Sequence, residues 1–296
     1  MIFTSREKIM NRQMLHKGLL TALFLLPLQG HALDIDAQDY RRAPNGTNIF
    51  LLYGQYANRD AYYAGSDKVN NGELESQIGI GRFVHYSEIG GIKMAQQFLV
   101  PFGKLKASGD SAALGESSGV LGDIILANTF WLIDQPQDKY LGFTPFFSFP
   151  TGSYKDENAL NIGENRFKTI LQASYLQYWN ERFGTDLTAD VTFYGDNKDD
   201  VKGRIEQDMG YQLQADVFYN LNPKFTLSAG VSYMDAGDTT VQSIDHAAST
   251  QSKLWAGTTY NINQRSNVLM TVGRDIDVEN TFKENFRFNF RYVYIF

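Results

Sequence analysis

Apolar and polar residues alternate one by one along much of the chain. The clearest stretch runs from residue 183 to 194, where Phe183, Leu187, Ala189, Val191 and Phe193 alternate with Asp186, Thr188, Asp190, Thr192 and Tyr194. Successive side chains of a strand point to opposite faces, so this period of two predicts a strand with one apolar and one polar face. The same pattern sets Met209, Tyr211, Leu213, Ala215, Val217 and Tyr219 against Gln212, Gln214 and Asp216, and Phe225, Leu227, Ala229, Val231 and Tyr233 against Thr226, Ser228, Gly230 and Ser232. The last stretch carries Phe286, Phe288, Phe290, Tyr292, Tyr294 and Phe296 on one face, and Asn285, Arg287, Asn289 and Arg291 on the other. Between 73 and 86, Ile78, Ile80, Val84 and Tyr86 share a face opposed to Glu73, Glu75, Gln77, Gly79 and Gly81. Further segments at 47–58, 92–102, 122–133, 140–149, 166–178, 252–260 and 267–274 bring the number of predicted strands to about twelve. Pro145 lies inside one of them and predicts a bulge, because proline gives no N–H to the ladder.

The connections carry as much information. Ser87–Gly91, Asp134–Asp138, Asn180–Arg182, Asn220–Lys224 and Asn261–Arg265 are tight and rich in turn-forming Asn, Gly, Asp and Pro. The alternate connections, 59–72, 104–121, 153–164, 195–207 and 235–251, are long and polar. Strict alternation of short and long connections is the asymmetry of an outer-membrane barrel, with short periplasmic turns and long outer loops. A soluble β-sandwich has no reason to keep it. The expected fold is therefore an all-β, antiparallel transmembrane β-barrel of about twelve strands over residues 47–296, with both termini at the periplasmic end.

Composition changes the picture in three ways. First, Arg6, Lys8, Arg12 and Lys17 precede the apolar run Leu19–Leu26, and Gly30-His31-Ala32 offers small residues for cleavage. Residues 1–32 are read as a secretory signal peptide cut after Ala32. Residues 33–46, with Asp34, Asp36, Asp39, Arg41 and Arg42, then form a periplasmic lead-in or a partial plug. Second, no apolar run is long enough for a membrane helix, so whatever crosses a membrane must be strands. The mean hydropathy of −0.32 does not contradict this, since only alternate residues of a barrel strand face lipid. Third, the chain of 296 residues has no Cys, which removes disulfides and thiolate chemistry. Without the leader, 23 basic and 32 acidic residues remain, a net charge of −9 that argues against a nucleic-acid partner.

Several stretches resemble a known family as a set. They are Arg42-Ala43-Pro44-Asn45-Gly46-Thr47, Tyr140-Leu141-Gly142-Phe143-Thr144-Pro145 running into Phe149-Pro150-Thr151-Gly152-Ser153-Tyr154, Ala159 to Arg166, Asp190 to Asn197, and Gly273-Arg274-Asp275. Together, over residues 40–296, they resemble the MetA-pathway of phenol degradation family of outer-membrane proteins. The resemblance implies an outer-membrane barrel linked to the catabolism of aromatic compounds and proposed as a transport channel. It supplies no catalytic or binding motif. The aromatic last strand ending on Phe296 also resembles the C-terminal signal of bacterial outer-membrane barrels. That implies two partners: the barrel-assembly machinery and outer-membrane lipids.

The predicted inward faces carry Glu73, Glu75, Asp186, Asp190, Gln212, Gln214, Asp216, Arg287 and Arg291. These are the candidate pore-lining residues, either of a polar channel or of a lumen closed by paired charges; Asp186 and Asp190 are expected opposite Arg287 and Arg291. Twelve strands predict a narrow pore, partly plugged. Val100-Pro101-Phe102-Gly103 and Phe149-Pro150-Thr151-Gly152 read as strand ends at the outer rim, with ligand gating as the alternative. Beyond the leader only His85 and His246 remain. His85, placed inward near the periplasmic end, and His246, in a loop before Ser249, make a poor lipase or deacylase pair. Asp196, Asp199, Asp200 and Asp208 read as solvated loop charge with loose Ca²⁺ binding as the alternative; no cofactor is expected. The function predicted is passive uptake of small compounds, aromatic or hydrophobic ones among them, through the outer membrane. The alternatives are a structural or adhesion barrel acting through its loops and, third, a lipid-modifying enzyme.

Overall fold

The computed structural model describes residues 34–199, 201 and 203–296. The expected signal peptide with its cleavage point, and Asp200 of the acidic loop, lie outside the described residues. The strands are β1 (Asn48–Ala64), β2 (Asp67–Asn70), β3 (Gly72–Ile89), β4 (Ile92–Gly109), β5 (Ile124–Gln135), β6 (Lys139–Phe149), β7 (Lys168–Tyr178), β8 (Phe183–Tyr194), β9 (Asn197–Asp199), β10 (Gly203–Gln207), β11 (Gly210–Asn222), β12 (Phe225–Asp235), β13 (Thr239–Val241), β14 (Ile244–His246), β15 (Thr250–Asn263), β16 (Ser266–Glu279) and β17 (Phe282–Ile295). Twelve of them, β1, β3 to β8, β11, β12 and β15 to β17, pair in sequence order and antiparallel, and β17 returns to β1 to close the barrel. Closure runs from Ile49↔Ile295 to Tyr62↔Phe282.

The alternation explains why these segments close on themselves. In β8, Leu187 and Phe193 are about half exposed on the outer surface, while Asp186, Thr188, Asp190 and Thr192 are buried inside. Leu213 and Val217 of β11, Val231 of β12, Leu254 of β15 and Phe286 of β17 join the same outer belt. This is a soluble protein turned inside out, with apolar side chains toward lipid and polar ones toward the lumen. No helix among the described residues is long and apolar enough to cross a membrane; the chain crosses with strands. Register is held on both sides, Ala189 pairing with Ala173 and with Leu213. Deleting Ala189 should abolish folding, because a one-residue slip turns buried Asp and Thr positions toward lipid. Heat-modifiable migration checks it; a normal folded band would contradict the assignment.

The turns follow from local chemistry. Gly90 and Gly91 both have positive φ, 59° and 80°, in the two-residue turn between β3 and β4. The expected alternation of short and long connections fails once: β16 and β17 are joined at the long-loop end by Asn280-Thr281 alone. The strands there are longer than alternation indicated, β16 reaching Glu279 rather than Arg274 and β17 starting at Phe282 rather than Asn285. Likewise β4 does not end at Val100-Pro101-Phe102-Gly103 but continues to Gly109, with Pro101 opposite Ile80. β6 does end at Phe149, as expected. Opposite Pro145 the β5–β6 ladder is interrupted between Ala127↔Phe146 and Phe130↔Phe143 without a change of register; the bulge lies at Trp131/Ile133 instead. The loops after β8 and β12 form a small sheet of their own, β14-β13-β10-β9, which the sequence pattern did not reveal.

Phe296 ends the chain at the short-turn end. Its backbone exchanges hydrogen bonds with Asn48, and its ring, more than half exposed, lies 6.2 Å from Phe83. So little burial leaves folded stability nearly independent of it, since even full burial of a Phe is worth only about 1.5–3 kcal/mol. Phe296→Ala should therefore refold in vitro at normal stability yet accumulate less in the outer membrane of cells. Wild-type levels in cells would contradict an assembly-signal role.

A plugged lumen as the candidate functional site

Residues 34–46 enter the barrel and cross its lumen from wall to wall. One wall, formed by β8 and β11, is acidic and amide-rich. Asp186 stands opposite Asp216, and Asp190 opposite Gln212. The plug backbone binds this wall: Gln38 N donates to Asp186 Oδ2 at 3.1 Å, Ile35 N to Gln214 Oε1 at 3.1 Å, and Gln214 Nε2 to Ile35 O at 2.5 Å. Gln212 Nε2 also reaches Asp34 Oδ1 at 3.1 Å. The opposite wall is basic, and the plug's carboxylates face it. Arg287 Nη1 lies 2.7 Å from Asp34, and Arg291 Nη1 lies 2.9 Å from Asp36 and 2.5 Å from Asp39. Lys253 adds a pair to Asp34 at 3.3 Å, and Arg82 one to Asp39 at 3.4 Å.

The plug is also seated by shape. Tyr40 is buried, its hydroxyl hydrogen-bonded to Thr144 Oγ1 and Gln172 Oε1, while its carbonyl accepts from Trp131 Nε1. Gly142 of β6 faces the Tyr40 ring, and a Cβ there would lie 2.4 Å from Tyr40 Cδ1. Only glycine leaves room for the ring at that separation.

Seven of the nine candidate pore residues, Asp186, Asp190, Gln212, Gln214, Asp216, Arg287 and Arg291, are thus buried inside the barrel. The expected confrontation of Asp186 and Asp190 with Arg287 and Arg291 across water is replaced by the plug standing between them. Glu73 and Glu75 are corrected: they point outward. Leu74 and Ser76 are the buried neighbours, while Glu73 bonds Ser108 and Glu75 bonds Tyr56 and Gln77 on the outer surface. They sit at the long-loop end of β3, where Glu75 pairs in register with Lys106 and Gln77 with Lys104. His85 is corrected as well. It shares the outward parity of Phe83 and contacts Asn48 Oδ1 through Nδ1 at 2.8 Å. Asp196 of the acidic loop is engaged by Arg204 at 2.7 Å.

Several lumen charges escaped the sequence reading, Arg82 among them. Glu284 is fully buried between Arg59 and Arg287, bonding both. Its alternation signal was hidden because the β1–β17 register shifts between Asn58 and Arg59, which places Glu284 on the face of Arg287. Asp275 and Lys253 are buried inward too, Asp275 accepting from Gln251 and from Glu284 N. Arg59 lies past the predicted end of its strand, in a β1 that runs on to Ala64.

Above the plug lies a cavity of about 230 Å³. On one side Ile78 and Ile80 of β3, Leu99 of β4, Ile125 of β5, Phe146 of β6 and Ile170 of β7 form an apolar patch, with Arg82, Ser148 and Lys168 at its borders. The other side presents Arg59, Arg287, Asn289 and Arg291. The preceding loops border it with Asp123 and Glu164. Burial would raise the Glu164 carboxyl, but Lys168 and Arg166 outweigh it and hold the group below its ordinary value. Burial does raise Asp123, against hydrogen bonds from Gly152 N and Glu164 N at 2.8 and 2.9 Å. A carboxyl depressed on folding contributes above its ordinary pKa and loses that contribution as pH falls through the lowered value. The Glu164 anchor should therefore hold the loop from pH 8 down to about 5, and limited proteolysis of residues 150–167 should rise only below about pH 4. Rising cleavage between pH 8 and 6 would contradict this.

No curated protein sequence matches the chain significantly. Among solved structures, an outer membrane channel from Pseudomonas putida F1 is similar over nearly the whole barrel, with 34% identity, 89% of this chain and 100% of that chain covered, and a TM-score of 0.85. The β domain of the Bordetella autotransporter BrkA shares the fold alone, at 8% identity, 86% and 100% coverage and a TM-score of 0.52. The barrel is thus of the outer-membrane type. With a family model matching residues 57–292, the chain belongs to the family described as "Putative MetA-pathway of phenol degradation".

Proposed function

We propose that the protein is a passive outer-membrane channel for small compounds, aromatic and hydrophobic ones among them. The observation that carries this reading is the half-apolar cavity above the plug. A lumen closed only by paired charges would have no use for a wall of Ile78, Ile80, Leu99, Ile125 and Ile170. Apolar cavities of about 150 Å³ already accept benzene, so this one is large enough for a substituted aromatic ring. The similarity to an outer membrane channel supports the same reading. The family's description connects it to phenol degradation, which fits a solute of that size and polarity.

A barrel acting through its outer loops would rest on the small β9–β10–β13–β14 sheet, but nothing in that reading requires a cavity in the lumen. The test is uptake by a deletion strain. Loss of the gene should slow growth on, and uptake of, aromatic carbon sources at low external concentration, and complementation should restore both. Unchanged uptake of every aromatic compound tried would contradict the proposed solute class.

A further inference from the structure

The basic wall of the lumen is already answered by carboxylates, and all of those that come from outside the barrel wall belong to the plug. Arg291 is held by Asp36 and Asp39, Arg287 by Asp34 in addition to Glu284, and Arg82 by Asp39. Arg291 is 7% exposed and borders the cavity. Its Nε has no hydrogen-bond partner among the described residues, and neither has Asn289 Oδ1 beside it. Two plug carboxylates thus crowd onto one Nη of Arg291, while a second donor of the same guanidinium is unanswered. A planar guanidinium presents a fork that matches one carboxylate with two parallel bonds, an arrangement that Asp36 and Asp39 do not provide here.

The apolar wall faces this group across the same cavity. If the plug moved away alone, Arg291 would be left with no acidic partner, which makes departure unfavourable unless another anion arrives. We infer that the cavity binds a small molecule with an apolar body and a carboxylate, which competes with Asp36 and Asp39 for Arg291. This rests on the channel reading and names its solute class: apolar carboxylates, rather than neutral compounds of the same shape. The solute's own charge would then release the plug, and the plug's aspartates would stand in for it at rest. Tyr40 and Trp131, which join the plug to the barrel, would move with that exchange.

The experiment compares 3-phenylpropanoate with 3-phenylpropanol, two probes of equal size, on the purified intact chain by calorimetry. The carboxylate should bind about tenfold or more tightly than the alcohol, the scale of a desolvated charge-assisted pair. Asp36→Asn with Asp39→Asn removes the internal competitor and should tighten carboxylate binding further, whereas a merely structural role for these residues would weaken it. Arg291→Gln should abolish the preference. Equal affinities in the intact chain, or weaker carboxylate binding after the Asp36 and Asp39 changes, would overturn the inference. Liposome flux of both probes separates the two readings. Flux of both without a binding preference leaves the channel and removes the carboxylate site. Selective carboxylate binding with no flux of either keeps the site and removes the channel.

Discussion

Deleting residues 34–42 should give a barrel that still folds and conducts far more than the intact chain. The segment contributes no strand to the barrel, whose closure is made by β1 and β17. What it contributes is occlusion. Its backbone is bound to Asp186 and Gln214, its carboxylates to Arg287 and Arg291, and Tyr40 fills the space left at Gly142. Barrels of eight strands are filled by their own side chains and those of sixteen hold an open channel; twelve strands stand between, so the plug decides the bore. Conductance in planar bilayers should rise by about an order of magnitude, given that intermediate width. Replacing Arg287 and Arg291 together by Ala removes two of the basic anchors, leaving Lys253 and Arg82, and should reproduce part of the opening. Unchanged conductance in a folded deletion variant would show that the conducting path avoids the plug.

The second large effect concerns stability. Glu284 is fully buried and binds two arginines, Arg59 and Arg287, whose side chains are each 7% exposed. Glu284→Gln leaves Arg59 with Ser76 and no acidic partner, and Arg287 with Asp34 alone. Removing one member of a buried ion pair costs about 3–5 kcal/mol, because a charge is stranded away from water. The temperature at which the folded gel band converts to the unfolded one should fall sharply. Glu284→Met combined with Arg59→Met removes both charges at similar volume and should recover much of the loss. An unaltered transition in Glu284→Gln would mean that water already solvates the site.

The barrel was legible because lipid enforces alternation. β8 shows it plainly: Asp186, Thr188, Asp190 and Thr192 face in, and Leu187 and Phe193 face out. β3 misled for a physical reason. Its inward face carries Ile78 and Ile80 because the lumen has an apolar wall, and its outward face carries Glu73 and Glu75 at the long-loop end. A rule of polar side inward assigns that strand backwards. Glu284 was hidden by a register shift that alternation alone does not record. The plug was half legible. Three aspartates in a short polar lead-in were visible, but that they answer Arg287 and Arg291, some 250 residues away, is a tertiary fact. The apolar wall was not legible as a unit, because β3 to β7 each contribute only one or two of its residues.

Liposome swelling with the purified intact chain decides whether small solutes pass through this barrel. Vesicles carrying the protein should swell in small aromatic solutes well above protein-free vesicles and remain unresponsive to a trisaccharide, as a narrow lumen with a half-apolar cavity requires. Swelling no faster than protein-free vesicles for every solute would contradict the channel and leave the outer loops as the working part of the molecule.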